Sequence, residues 1–272
     1  NVTNVCNQNC IFCSGYPRNE ITLNSIKKQI DNSKKEVFFQ GGEPTIQKEL
    51  FNLIRYAKKQ GKTVTLITNG LRLAYKKYAK FLFDTKLDKI FFAFHAPTEK
   101  LDNFLTDEVS SFKNKCKALK NIIELGKGDK VRIVFVINKY NQHEIFNFVK
   151  FLNGNFKGIK SIEFKLMQSL GRPEQNFKLF PFIEDFVEEL NEAISYSKKI
   201  GIKLYTNGIP LCHLGDNIKF AVEYHMKTHG MQNLTGRTYI EKCDNCNLKK
   251  YCMGYRLDYI KFVKNKKQQI VA

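Results

Sequence analysis

The chain has 272 residues, 43% of them hydrophobic and 26% charged, with six prolines and no tryptophan. This profile excludes a disordered tail, a collagen-like repeat and a disulfide miniprotein, and no run approaches the roughly 20 apolar residues of a membrane-spanning helix. The formal charge is +19, but only seven of the 45 basic residues are arginine and the lysines are spread along the whole chain, so the charge reads as solvated surface as readily as a nucleic-acid-binding face.

The length suits one α/β barrel with an appendage. Because the sequence opens on Asn1 rather than methionine, it reads as trimmed at its start. A short extended run at 2–5 leads into the first cysteines. Val- and Phe-rich runs at 36–40, 63–68, 89–94, 131–138 and 161–166 each end in Gly, Asn or Pro, the pattern of buried parallel strands. Between them, Leu50, Leu53, Ile54 and Ala57 share a helical face, as do Cys116, Leu119, Ile122 and Ile123; residues 141–152 and the Ile183–Ile194 series give further helices. Cys116 therefore reads as a small core residue. Six strand–helix units predict an α/β fold, a parallel barrel or partial barrel rather than an antiparallel fold. After a loop at 171–181 and the last of these helices, the pattern changes at about 200. Residues 201–272 are expected to form a small C-terminal cysteine-rich cluster-binding domain, in which Tyr251, Tyr255, Tyr259 and Phe262 have helical spacing. Such barrels carry their chemistry at the carboxyl ends of the strands, where every unusual polar cluster of this sequence falls.

Seven of the eight cysteines form two groups, which reads as two metal sites in a reducing compartment rather than a disulfide ladder. Cys6, Cys10 and Cys13 place three thiolates within eight residues, enough to leave one iron of a cubane cluster open; a structural zinc needs a fourth ligand, and none is near in sequence. Cys243, Cys246 and Cys252, with Cys212 as a fourth ligand, fit either a structural zinc or a second iron–sulfur cluster.

The C-x3-C-x2-C spacing, Phe12 before the third cysteine, Gly41-Gly42-Glu43-Pro44 at one strand end and Thr68-Asn69-Gly70 at the next resemble the radical S-adenosylmethionine (SAM) superfamily. That resemblance implies a partial (β/α)6 TIM-like barrel over residues 1–200 and a [4Fe-4S] cluster on Cys6, Cys10 and Cys13 that binds SAM. It also implies reductive cleavage of SAM to a 5′-deoxyadenosyl radical, which abstracts hydrogen from a substrate. Gly41, Gly42, Glu43 and Pro44 are expected to meet the methionine amine, Asn69 and Asn138 the carboxylate or ribose, and Phe12, Met167 and Gln168 the adenine. His95, at a strand end, is a candidate catalytic or substrate-contacting group, with a structural histidine as the alternative. The C-terminal group resembles the SPASM and twitch extensions, shortened because Arg256 stands where a further cysteine is usual. This implies one auxiliary [4Fe-4S] cluster on Cys212, Cys243, Cys246 and Cys252, with zinc as the lesser alternative. Relatives so equipped mostly modify peptides or proteins, so the expectation is a cytoplasmic oxidoreductase of the ribosomal-peptide-maturase (RiPP) type, fed electrons by a flavodoxin or ferredoxin. The alternatives are an RNA- or small-molecule-modifying radical SAM enzyme and a non-catalytic zinc-stabilised binding module. Nucleic acid is a less favoured partner, and no membrane is expected.

Overall fold

A computed structural model describes residues 1–15, 21–230 and 235–271 of the chain. In chain order the elements are α1 (Leu23–Asn32), β1 (Glu36–Phe39), α2 (Leu50–Lys59), β2 (Thr63–Thr68), α3 (Lys76–Asp84), β3 (Lys89–Ala93), α4 (Glu99–Thr106), α5 (Ser111–Glu124), β4 (Val131–Ile137), α6 (Ile145–Asn155), β5 (Ser161–Leu166), the short α7 (Arg172–Gln175), α8 (Val187–Ile200), β6 (Lys203–Asn207), α9 (Val222–Thr228), β7 (Arg237–Thr238), β8 (Tyr255–Arg256) and α10 (Leu257–Val271). The six strands β1 to β6 follow one another in a single sheet in sequence order, the parallel sheet of a partial (β/α)6 barrel. Val37 pairs with Val64, Leu66 with Ile90, and Ile90 with Val131.

Two strands differ from expectation. Residues 2–5 form no strand, although Val2 N–H donates to Gln40 O, and Thr3 O and Val5 O accept from the Gly42 and Glu43 N–H groups. The sixth strand is Lys203–Asn207, so the sheet continues past residue 200.

The chain divides into two compact units. In the first (Asn1–Ile11, Gly15–Val134, Phe151–Ser161), β2 is buried along nearly its whole length, with Val64 and Leu66 at 0% exposure, because helices cover such a strand on both faces. The buried faces of α1 (Ile26, Ile30) and α2 (Leu50, Leu53, Ile54, Ala57) complete its core. In the second (Phe12–Ser14, Phe135–Lys150, Ile162–Ala272), Phe135 lies 4.9 Å from Phe148 and 5.2 Å from Phe164, ring centre to ring centre. Leu190, Ala193 and Ile194 of α8 pack inward there. The expected aromatic helix is only half realised. Tyr259 and Phe262 are buried on α10, whereas Tyr255 sits in β8, paired with Thr238 of β7. Gly254, at φ +73, breaks the run between Tyr251 and the helix.

Candidate functional site

The Gly-Gly-Glu-Pro segment follows β1. A Cβ on Gly41 would stand 2.3 Å from Thr3 O, and one on Gly42 would stand 2.1 Å from Val5 O. The glycines are needed where the segment leading into Cys6 crosses this turn, a nearer cause than the cofactor approach expected from sequence. Glu43 is 1% exposed. Its Oε1 accepts from Thr45 N–H (2.9 Å), Thr45 Oγ1 (2.6 Å) and Thr68 Oγ1 (2.6 Å), and its Oε2 accepts from Asn69 N–H at 2.7 Å. The carboxylate thereby caps the short turn Pro44–Ile46, whose first residue is the buried Pro44, and ties it to the end of β2. Burial pushes its pKa above the ordinary carboxylate value against the pull of these donors. Three of these donors reach Oε1 and one reaches Oε2, so Glu43 braces the loop through the protein's own groups.

Asn69 carries that link to the cysteine loop. Its Nδ2 donates to Asn7 Oδ1 at 2.8 Å and approaches Cys6 Sγ at 3.9 Å, while its Oδ1 accepts from Leu71 N–H. On the same unit, α4 holds the loop through Asn9 N–H to Thr106 O and Ile11 N–H to Leu105 O, both at 3.0 Å. His95 is 3% exposed, and its backbone N–H donates to Asp102 Oδ1 at 3.3 Å. Burial, aided by the positive charge of Lys115, holds its imidazole well below the usual histidine range.

The second unit carries Phe12, which is buried, and Cys13, which is exposed. Cys13 O accepts from Arg172 N–H at 3.1 Å. A Cβ on Gly171, whose φ is +70, would stand 2.6 Å from that oxygen, so this glycine after β5 seats the third cysteine. Asn138, expected as a SAM contact, is wholly buried; its Nδ2 donates to Val136 O and its Oδ1 accepts from Tyr140 N–H. Met167 is buried at the end of β5 and Gln168 is half-buried. Arg256 reaches the same strand end: Nη1 donates to Leu166 O at 2.8 Å, Nη2 donates to Met167 O at 2.6 Å, and Asp258 grips its other edge.

Also in the second unit, Cys212, Cys243, Cys246 and Cys252 line one small pocket with Pro210, Tyr239 and Tyr255. Gly254 N–H donates to Cys252 Sγ at 3.3 Å, and Tyr255 Oη lies 3.7 Å from Cys212 Sγ and 2.8 Å from His213 Nε2. None of the eight cysteines is in a disulfide. Among the described residues, no three His, Cys, Asp or Glu side chains are placed to grip a single metal ion. Thiols around one pocket, with a backbone N–H aimed at a cysteine sulfur, fit the donor chemistry of a cluster site. His225 and His229 stand apart, each bonding a backbone carbonyl of its own segment.

Sequence reasoning missed Gln8, Ser111, the buried Asp102–Lys115 pair, Gly171 and the reach of Arg256. One signal was present for Lys115: it shares the helical register of Ala118, Leu119 and Ile122 in α5, whose buried face it joins, while Cys116 is half-buried.

Residues 1–152 match the radical SAM superfamily. A probable GTP 3′,8-cyclase of Saccharolobus islandicus is 30% identical over 73% of this chain and 65% of its own length. The 7,8-dihydro-6-hydroxymethylpterin dimethyltransferase of Methanocaldococcus jannaschii is 29% identical over 70% of this chain and 40% of its own. The chain thus spans less than two thirds of these relatives. Among solved structures, native anSMEcpe with bound AdoMet aligns over 99% of this chain and 96% of its own at TM-score 0.66 and 15% identity. Streptococcus suis SuiB bound to precursor peptide SuiA aligns over 80% and 49% at TM-score 0.63 and 21% identity; these two share the fold. With its cysteine motif, glycine turn and parallel sheet, the chain belongs to the radical SAM superfamily and is an enzyme of that family, which uses a [4Fe-4S] cluster and SAM.

Proposed function

We propose that this chain is a radical SAM enzyme that modifies a peptide or protein. In this reading Cys6, Cys10 and Cys13 hold the SAM-binding cluster, and Cys212, Cys243, Cys246 and Cys252 hold one auxiliary [4Fe-4S] cluster in a C-terminal domain that begins after β6. The observation that carries it is the pocket in which Cys212 joins the closely spaced Cys243, Cys246 and Cys252. The two fold relatives support the substrate class: SuiB has been solved bound to a precursor peptide, and anSMEcpe with a Cp18Cys peptide.

When bound, the first cluster supplies one electron to the SAM sulfonium. The protein's own part is to hold three thiolates on a loop braced by Asn69 and α4, and to keep the β5 end in place through Arg256. A flavodoxin- or ferredoxin-type protein would supply the electron. A second reading, a nucleotide or pterin substrate, is favoured by the identity to the GTP cyclase and the pterin dimethyltransferase.

Anaerobic reconstitution should give about eight iron and about eight sulfide per chain if both sites hold cubanes. About four iron with zinc would overturn the auxiliary-cluster assignment. Cys10→Ala should abolish 5′-deoxyadenosine formation and retain the C-terminal iron; continued formation would remove Cys10 from the ligand set. Mass spectrometry after turnover with a peptide encoded beside the gene, against GTP as the competing substrate, separates the two substrate classes.

A further inference from the structure

An ion pair is buried beneath the cysteine loop. Lys115 Nζ lies 3.1 Å from Asp102 Oδ1 and 3.0 Å from Oδ2, and both side chains are at 0% exposure. Compared with well-packed apolar side chains, a buried ion pair brings little or no stability. Its neighbours give it a direction instead. Ser111 Oγ donates to Asp102 Oδ2 at 2.6 Å. A carboxylate gripped by an ammonium only accepts, and a hydroxyl has one proton to give. Ser111 has spent that proton, so toward Gln8 Nε2, 2.9 Å away, it accepts. The two ends of a glutamine amide are interchangeable in shape and are told apart only by their partners. Here the partners decide: the NH2 faces Ser111, and Oε1 accepts from the Cys10 thiol, whose Sγ lies 3.8 Å away and gives up that proton when it binds metal.

We propose that the Lys115–Asp102–Ser111 relay fixes the polarity of Gln8, so that a carbonyl oxygen rather than an amide N–H faces the Cys10 sulfur, and that Gln8 is thereby a positioning residue that keeps the potential of the SAM-site cluster low. This rests on the ligand role given to Cys10 above. Hydrogen bonds donated to ligand sulfurs spread the charge of the reduced cluster and raise its potential. An oxygen lone pair in the same place does the reverse, and a low potential suits one-electron reduction of a sulfonium.

The test uses the reconstituted full chain. Redox titrations are followed by electron paramagnetic resonance on the signal that added SAM perturbs, which separates it from the C-terminal cluster. Gln8→Leu removes the carbonyl dipole, and Ser111→Ala frees the amide to turn its N–H toward Cys10. Both should shift the potential upward, Ser111→Ala at least as far. Asn9→Ala breaks a different anchor of the same loop, the 2.7 Å bond to Asp107 Oδ2, and should leave the potential in place. Unchanged potentials in the first two variants, or an equal shift in Asn9→Ala, would overturn the inference. If the wild-type chain binds no cluster through Cys10, iron analysis shows it directly: the ligand assignment fails first and this inference falls with it.

Discussion

His95 ends the strand–loop segment that the sequence places at the rim of the barrel, yet the folded chain buries its side chain and ties its backbone N–H to Asp102 of a buried ion pair. Because burial and Lys115 disfavour the imidazolium, the folded state refuses a proton that the unfolded chain accepts below a pH of about 6.5. A depressed pKa gives stability that is complete above the unfolded value and is lost as pH falls through it, with a slope of at most about 1.4 kcal/mol per pH unit for one proton. Urea unfolding at pH 7 and pH 5.5 should therefore show a loss that shrinks in His95→Gln; an equal loss in both proteins would clear the imidazole of this role. The cysteine motif was legible residue by residue because its chemistry fixes its spacing. The groups that support it were not. Gln8 meets Ser111 across 103 positions of chain, Ser111 meets Asp102 from the next helix, and a lysine in an apolar helical register looks like an exposed charge until its partner is known. Glu43 was found from its motif, but its four donors come from backbone and hydroxyl groups that no motif specifies.

At the level of elements, the hydrophobic runs located β1 to β5 almost to the residue, since buried parallel strands are continuous apolar segments closed by turn residues. The sixth strand, Lys203–Asn207, was legible as strand-like but set beyond the barrel, because it lacks the continuous apolar run of its neighbours. Arg256 is the instructive case. It works as a clasp between β8 and the end of β5. Its guanidinium takes the Leu166 and Met167 carbonyls, and Asp258 in turn accepts Ser169 N–H at 2.8 Å. Burial raises the Asp258 carboxyl, but the hydrogen bonds and charge of Arg256, with the Ser169 and Tyr259 N–H groups, outweigh it and hold the pKa below the ordinary value. Arg256→Ala strands two carbonyls and a partly buried carboxylate, at a cost of about 2–4 kcal/mol. Arg256→Lys should recover only part of this, since an ammonium cannot span the fork. Denaturant unfolding reads both variants; an alanine variant within about 0.5 kcal/mol of wild type would mean the clasp contributes no more than an ordinary surface group.

For the whole molecule, the +19 charge was the most conspicuous number in the sequence and the least specific. No described helix is long and apolar enough to cross a membrane, and several lysines are already engaged, with Lys58 on Asp88 and Lys139 on Asp185 at 2.6 Å. What remains is a field rather than a binding motif, and a field acts on encounter: it concentrates acidic partners near the surface and raises their association rate. If the substrate is a peptide with an acidic recruitment segment, a Glu- and Asp-rich synthetic peptide should associate fastest at low salt. The rate should fall steeply between about 0.01 M and about 0.1 M salt, as the screening length drops from about 30 Å to about 10 Å, while the dissociation rate changes little. A single-stranded RNA of equal charge discriminates the alternative, because phosphate binding releases counterions and gives log affinity a linear dependence on log salt whose slope counts the contacts. Stopped-flow measurement of both ligands decides. Salt-sensitive association for the peptide with weak RNA binding supports recruitment of an acidic peptide, and an association rate that ignores salt would leave the lysines as surface solvation alone.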